Sequence, residues 1–550
     1  MTRLRAIRGA LARMLWTLRV LVSSGMIAAM RPDKYLRQAA VIRRQGTNAT
    51  TGISLSAVGS PEATALVDER GSLTWRELDR RSDAAAVALH ELLGERSGTL
   101  GILCRNHRGL MESLAAASRI GADALLLNTG FSASQLGDVL EREHASLVVY
   151  DEEFAPLLEE ARSRVDGLVE VIAWQGEPAD SPGDSAGTVH SLDVLIERHL
   201  GQKPGPAPAP GRTVLLTSGT TGTPKGARRS GGGPGSLAAM LDRIPWRAGE
   251  TTVVAAPMFH AWGFGQLAVS ATMGCTVVMR RKFDPEATLE LVDRHQATGL
   301  AVVPVMLERI IDLPAERLDK HSLRSLRFVT ASGSRMRSDA VTRFMDRFGD
   351  VVHNSYNATE AGLISTATPR DLREAPECAG RPVVGTDLRI VDDAGNEVPA
   401  GEVGRITVLS DSQFEGYTSG DNKDFEDSFM VSGDLGRIDE AGRLYVVGRD
   451  DEMIVSGGEN VYPLEVEETL NGHDDVIEAA VIGVDDEQFG QRLDAYVVLQ
   501  PGAAATPDVL KEHVREQLAG YKVPRNVVVL DDLPRNDTGK VMKRELDGQG

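Results

Sequence analysis

Residues 217–226 read TSGTTGTPKG, a run of glycines and hydroxyl side chains that closes on Pro224, Lys225 and Gly226. Glycines let several backbone N–H groups converge on one anion with no side chain in the way. The hydroxyls of Ser218, Thr220, Thr221 and Thr223 add donors, and Lys225 adds a positive charge. Such a set suits a polyphosphate. It is not a G-x-x-x-x-G-K-[ST] loop, because Pro224 precedes the lysine and Gly226 follows it. Taken alone, a run of this composition is a linker more often than a phosphate cradle, so its setting has to decide.

The run follows the strand-like TVLL at 213–216, which turns it at the carboxyl edge of a sheet, where α/β folds bind ligands. Around it, continuous apolar runs at 98–104, 122–128, 146–151, 168–174, 251–257, 275–281, 299–305 and 326–332 alternate with helical patterns such as 109–120 and 132–144. Short apolar strands separated by amphipathic helices predict βαβ units and an α/β fold with parallel sheet covered on both faces. Residues 176–211, rich in Pro, Gly and Ala, read as a connector. A chain of 550 residues with 42% hydrophobic and 25% charged content is globular and too long for one core, so two or three domains are expected. The net charge of −19 argues against nucleic-acid binding. Cys104, Cys275 and Cys378 are far apart, without metal-ligand or CxxC spacing, which predicts neither a disulfide framework nor a zinc site and points to a reducing cytoplasm.

Further segments follow in order: PMFHAWG (257–263), SYNATE (355–360), SGDLG (432–436), GRDDEMIVSGGENVYPLEVE (448–467) and PRNDTGK (534–540). With TSGTTGTPKG they resemble the motifs of the adenylate-forming superfamily, most closely its acyl-CoA synthetases, over about residues 50 to 546. The resemblance implies a large N-terminal adenylation domain, 47–450, with α/β subdomains that bind ATP and the acyl group. A small mobile α+β domain, 451–550, would carry the catalytic lysine and CoA access, and Asp451 would be the hinge. It further implies that Thr217, Ser218, Gly219, Thr220, Thr221, Gly222, Thr223 and Lys225 hold the ATP phosphates, with Thr221 also catalytic. Gly333, Ser334, Asn354 and Tyr356 would meet the adenine, and Thr359 the phosphate. Glu360 would bind Mg²⁺, Asp434 and Arg449 the ribose, and Gly457 and Gly458 the CoA path. His260 would abut the acyl carbonyl, with Phe259 and Trp262 shaping the pocket entrance, and Lys540 would bridge substrate carboxylate and α-phosphate. Asn357 stands where the family usually has glycine.

The activity implied is an AMP-forming acid–thiol ligase using ATP, Mg²⁺ and CoA. The wall at 260–274 and 302–310 reads as apolar and has no cation for a second carboxylate, which favours a medium- to long-chain fatty acid. An acyl-AMP ligase serving a carrier protein, an aryl-CoA ligase and a binding scaffold with a lapsed site remain as alternatives.

Residues 1–46 lie outside the resemblance and carry ten Arg or Lys against one Asp, a charge of +9 that leaves −28 on the rest. Leu4, Ile7, Leu11, Met14, Leu15, Leu18 and Val22 recur at three- and four-residue steps, the pattern of one helical face. Two settings fit this arm: residues 1–30 against a membrane surface, or a helix packed on its own globule or a partner.

Overall fold

The structure, a computed structural model, describes residues 2–94, 98–176, 190–207, 209, 211–217, 225–229, 233–418, 420, 422–456, 459–486, 490–536 and 539–546. The chain divides into two compact units. The first comprises Met1–Pro376, Val383–Gly385 and Ser410–Asn422; the second comprises Glu377–Pro382, Thr386–Leu409 and Lys423–Gly550.

The first unit is built on two sheets. One runs Gly362–Ala367, Val352–Ala358, Phe328–Ala331, Gly299–Val302, Thr251–Val254, Thr276–Val278, Thr64–Asp68 and Gly71–Thr74, parallel except where Gly362–Ala367 and Gly71–Thr74 pair with their neighbours. The other runs His190–Ser191, Val169–Trp174, Ala145–Asp151, Thr99–Leu103, Asp123–Leu126, Thr213–Thr217 and Lys225–Arg229, parallel except for its last pair. All four residues of Gly299–Val302 and of Phe328–Ala331 are buried, as expected of parallel strands covered on both faces. Their helices start where the sequence supplies caps. Thr74 with Glu77 opens Trp75–Leu93, and Ser132 with Gln135 opens Ala133–Arg142, each as a reciprocal capping box.

Two buried polar clusters pin these layers. Arg108 grips Asp68 through Nη2 to Oδ1 at 2.6 Å and Nε to Oδ2 at 2.9 Å, tying the helix Arg108–Ile120 to the strand Thr64–Asp68. In the second cluster the ligand atoms of Cys104, His107 and Asp151 lie within 4.8 Å of one another, which their spacing in the chain did not predict. They are already engaged with protein. His107 Nδ1 accepts from the Gly109 N–H at 3.1 Å, so its Nε2 carries the proton donated to Asp151 at 2.6 Å. Asp151 also accepts from the Arg105 N–H and from Arg281, each at 3.2 Å. Burial, with the Asp151 charge beside it, pushes the Cys104 thiol well above its ordinary pKa. The trio is therefore a hydrogen-bonded core cluster and not a vacant ligand set.

The N-terminal segment forms two helices, Thr2–Ser23 and Pro32–Gln45. Trp16, Val20 and Leu21 of the first pack in one cluster with Ala238, Leu241, Ile244 and Trp246. Among the described residues no helix is long and apolar enough to cross a membrane.

The second unit holds two smaller sheets. In one, Thr386–Val391, Gly404–Ser410, Phe429–Ile438 and Phe425–Glu426 follow in order and Leu444–Arg449 joins Phe429–Ile438. In the other, Glu459–Val461, Ile454–Ser456, Gly490–Leu499 and Val476–Asp486 follow in order and Asn526–Leu530 pairs with Gly490–Leu499. Helices Pro463–Asn471 and Pro507–Gln517 close a core around Val466, Leu470, Val481, Leu510 and Val514.

The Asp68–Arg108 pair yields a prediction. Burial pushes the Asp68 carboxyl up, but the hydrogen bonds and charge of Arg108 outweigh it and hold the pKa below the usual value. Its contribution to stability is therefore present above the unfolded-state pKa of about 4 and is lost as pH falls through the lower folded value. Asp68→Asn leaves Arg108 with its charge buried and uncompensated, and at pH 7 should cost about 3 kcal/mol in urea unfolding. The gap to the parent should shrink as the pH falls below the unfolded-state value of about 4.

Candidate functional site

Lys225 opens the antiparallel return strand Lys225–Arg229, opposite Thr217. Beside this strand runs a segment far away in sequence: Thr418 N–H donates to Gly226 O at 2.8 Å and Glu415 N–H to Arg228 O at 3.1 Å. Gly226 permits the approach, since a Cβ there would stand 2.7 Å from Thr418 Oγ1 and 2.9 Å from Val214 Cγ1. The result sets Tyr417 between two of the expected site residues. Lys225 Nζ lies 5.3 Å from the Tyr417 ring centroid, and the Tyr417 hydroxyl donates to Glu360 Oε1 at 2.5 Å. Glu360 is buried, and its backbone carbonyl accepts from Phe414 N–H at 2.8 Å. Its second carboxylate oxygen takes no hydrogen bond among the described residues, so an oxygen donor remains for a hard cation. Sequence reasoning missed Tyr417. A tyrosine between Gly416 and Thr418 carries no chemistry until the fold brings it beside Lys225 and Glu360.

Asn354 and Tyr356 lie on Val352–Ala358, with Thr359 in the turn just before Glu360. Gly333 and Ser334 follow the neighbouring strand Phe328–Ala331. Ser332 joins the two, its hydroxyl lying 2.5 Å from both Ser355 O and Asn357 Oδ1. Asn357, which departs from the expected glycine, thus makes a structural bond. Ser218, Gly219, Thr220, Thr221, Gly222, Thr223, Gly457 and Gly458 lie outside the described residues.

His260 caps the helix Ala261–Thr272, and its ring meets Phe259 at 4.4 Å between centroids. Its Nε2 is enclosed without a hydrogen-bond partner among the described residues, and burial pushes its pKa down to about 4, so it is neutral at pH 7. Trp262 on the next turn donates from Nε1 to Val302 O at 3.0 Å, which fixes this helix against the strand Gly299–Val302. The expectation that this wall is apolar and without a cation needs correcting, since 302–310 contains the exposed Arg309 and 260–274 contains the buried Ser270 and Gln266. Gln266, one turn beyond Trp262, is fully buried, and neither its Oε1 nor its Nε2 has a partner among the described residues. Thr330 on Phe328–Ala331 likewise has a buried, unpartnered Oγ1.

In the second unit Asp434 and Arg449 face each other across the pair Phe429–Ile438 and Leu444–Arg449, with Arg449 Nη1 donating to Asp434 Oδ1 at 3.2 Å. Gly433, at φ +85°, leaves room for that guanidinium, since a Cβ there would lie 3.2 Å from Nη2. Asp451 sits in the short turn of helix Asp450–Glu452 that follows. Lys540 lies on a hairpin closed by Asn536, whose N–H donates to Lys540 O at 3.0 Å while its Oδ1 accepts from Lys540 N–H at 2.9 Å. Arg535, paired with Glu478, anchors this hairpin. Lys543, three residues on, is different. Its Nζ lies 2.8 Å from Glu467 and 3.5 Å from Glu452, and although burial pulls its pKa down, those carboxylates outweigh it and raise it. Lys543 is committed to these two carboxylates, whereas Lys540 Nζ takes part in no ion pair among the described residues.

Residues 54–418 match the family model described as AMP-binding enzyme, and residues 465–540 match the AMP-binding enzyme C-terminal domain. The chain belongs to the AMP-binding enzyme family. It is 33% identical to a feruloyl-CoA synthase of Amycolatopsis sp over 88% of this chain and 96% of that protein. It is 29% identical to a fatty acid–[acyl-carrier-protein] ligase of Streptomyces coeruleorubidus over 90% and 94%. Among solved structures, the o-succinylbenzoate CoA synthetase of Bacillus subtilis in complex with its acyl-adenylate intermediate superposes with a TM-score of 0.77 at 28% identity, covering 90% of this chain and 97% of that one. The resemblance read from the six motifs, the α/β class with a large N-terminal and a small C-terminal domain, and the class of AMP-forming acid–thiol ligase using ATP, Mg²⁺ and CoA agree with these relatives.

The buried imidazole gives this site a pH signature. With the His260 pKa pushed down to about 4, the unfolded chain binds more protons than the folded one between that value and about 6.5. Stability therefore falls as pH drops through this window. His353, also pushed down to about 4 by burial, adds to the same slope. Urea midpoints measured from pH 7 to pH 5 should fall less steeply in His260→Gln than in the parent, with His353 and His295, whose pKa burial also lowers, contributing to the slope that remains.

Proposed function

We propose that the chain activates a hydrophobic carboxylic acid with ATP and passes the acyl group to the thiol of CoA. The observation that carries this reading is the alignment of Lys225, Tyr417 and Glu360 in a chain of the AMP-binding enzyme family. A carboxylate oxygen attacks the α-phosphorus, the bond to pyrophosphate breaks, and an acyl-adenylate forms. The thiol sulfur then attacks its carbonyl carbon, the thiol proton is lost, and AMP departs with the bonding electrons.

In this reading Lys225, with Thr217 to Thr223, grips the leaving pyrophosphate, and Tyr356 stacks on adenine beside Asn354, Gly333 and Ser334. Asp434 accepts from the ribose hydroxyls, and Arg449, already paired with it, holds that carboxylate in place. Glu360, steadied by Tyr417, would hold Mg²⁺, which when bound neutralises phosphate charge, and Thr359 beside it would support the phosphate. Lys540 draws the substrate carboxylate and the α-phosphate together. Asp451 is the pivot that withdraws Lys540 and brings Gly457 and Gly458 to the thiol path. The neutral His260 packs against the acyl carbonyl without competing for its charge. Cys104, Cys275 and Cys378 are all buried, and the proposed setting is the reducing cytoplasm.

Two acyl classes fit. A medium- to long-chain fatty acid matches a wall of Phe259, Trp262, Leu267 and Met306. An aromatic acid carrying a hydroxyl or keto group is favoured by Gln266, whose buried amide lacks partners that such a substituent could supply.

Pyrophosphate release measured over alkanoates, benzoates and hydroxycinnamates, with and without CoA, separates these readings. CoA-dependent AMP formation is expected; turnover with alkanoates supports the fatty acid, and turnover confined to substituted aromatic acids supports the second class. Turnover with a carrier-protein thiol in place of CoA would overturn the acceptor. Lys540→Ala should lower pyrophosphate release by roughly 10²–10³-fold with an unchanged urea midpoint. Lys543→Ala should instead lower stability by about 1–2 kcal/mol, because it strips the buried Glu467 of a partly buried partner.

A further inference from the structure

The N-terminal helix Thr2–Ser23 has two apolar faces, and the fold uses only one. Trp16, Val20 and Leu21 point into the first unit. At 100° per residue, Leu11, Met14, Leu15, Leu18 and Val22 fall within one arc of about 100° on the side away from Trp16 and Val20, and Leu21 stands at the border of that arc. These five are exposed, at 53%, 62%, 55%, 47% and 50%. Ile27 in the connection and Tyr35, Leu36 and Ile42 on the second helix are exposed as well. Half of the large apolar side chains that stand in solvent among the described residues thus belong to the first 46 positions of a 550-residue chain. Single exposed apolar residues need no explanation, but a continuous stripe on a helix anchored from behind does.

We propose that this stripe docks the enzyme on the surface of an anionic phospholipid bilayer, the helix lying in the plane of the interface. The charge argues for this occupant. Residues 1–46 carry +9 while the rest of the chain carries −28, so an acidic surface attracts the arm and repels the body. Screening within about 8 Å at physiological salt keeps these two effects local. Stripe-to-stripe pairing of two copies would instead bring two +9 segments together. Arg13 is turned to the protein side, where it pairs with Asp411 at 2.7 Å, and Arg19 remains exposed beside the stripe for headgroups. The buried contacts at Trp16, Val20 and Leu21 hold the helix folded before it meets lipid, so the ordering cost of binding is small.

The test is flotation of the full-length protein with vesicles of phosphatidylcholine, with and without phosphatidylserine. The expected result is co-flotation with the anionic vesicles, weakened at least roughly tenfold by raised salt or by removal of phosphatidylserine. The double variant L15Q/L18Q, altered only at exposed positions, should lower the bound fraction by roughly tenfold or more while its urea midpoint matches the parent. Failure of the parent to float with anionic vesicles overturns the proposal, as does equal flotation of the variant. A dimer formed without lipid and dissolved by L15Q/L18Q would assign the stripe to a second copy and overturn it too. None of these outcomes depends on which acid is activated, so loss of the catalytic reading would be seen separately in the turnover assay.

Discussion

A buried carboxylate has to be partnered, and at Glu360 that requirement organises much of the first unit. The hydroxyl of Tyr417 meets Glu360 Oε1 at 2.5 Å, and that bond exists only because residues 414–418 return alongside Lys225–Arg229. Three stretches that are far apart in the chain converge there: the end of the phosphate-loop strand, the turn after Val352–Ala358, and, 57 residues beyond Glu360, the segment around Tyr417. Thr418 extends the junction by donating to Glu143 at 2.9 Å. Without Tyr417, Glu360 would lose the donor that fixes one oxygen and Lys225 the aromatic face beside its ammonium. Charge selection at this end of the sheet thus rests on a neutral residue that needs no charge of its own.

Much of the architecture was legible because parallel strands buried on both faces are written as continuous apolar runs. The run at 326–332 becomes Phe328–Ala331 and that at 146–151 becomes Ala145–Asp151, each with only terminal residues gained or lost. The family was legible for another reason: glycine, lysine and carboxylate types in a fixed order are demanded by phosphate chemistry. What could not be read were partners supplied by long-range folding. Cys104 and His107 sit near each other in sequence, but Asp151 reaches them only through the pairing of Thr99–Leu103 with Ala145–Asp151. Gln266 was hidden differently. One polar residue in an apolar helical pattern reads as a surface position until burial is known.

That burial has an energetic consequence. An amide with both polar atoms unpaired inside a protein costs a few kcal/mol, and Thr330 and His260 add further unpartnered atoms. A fold can meet such a cost if the groups are satisfied when substrate is bound, because the stabilisation then appears as binding selectivity. On the proposed aromatic reading, the same atoms penalise a purely aliphatic occupant that offers no donor or acceptor. Neutral His260 is consistent with this arrangement: a charged imidazole in the same enclosure would be harder to bury than the uncharged one that the low pKa enforces.

The N-terminal helix shows a limit of amphipathic reasoning. Periodicity identified the stripe from Leu4 to Val22, of which the side chains from Leu11 onward are described, and the ordinary inference from an apolar stripe is that it faces the core. Here the core is met by Trp16, Val20 and Leu21 instead, residues whose spacing is less regular but which pack with the bulky Trp246 and Phe328. A helix with one apolar face has one solution; a helix with two must leave one face uncovered by its own unit. The more regular stripe is the one left out, and it is the one flanked by positive charge. Regular spacing over several turns is what a flat, featureless surface selects, because every turn meets the same environment, whereas a folded core offers individual pockets and selects for individual shapes. The division of the helix into a shape-matched inner face and a periodic outer face is therefore itself physical information about the two surfaces it contacts.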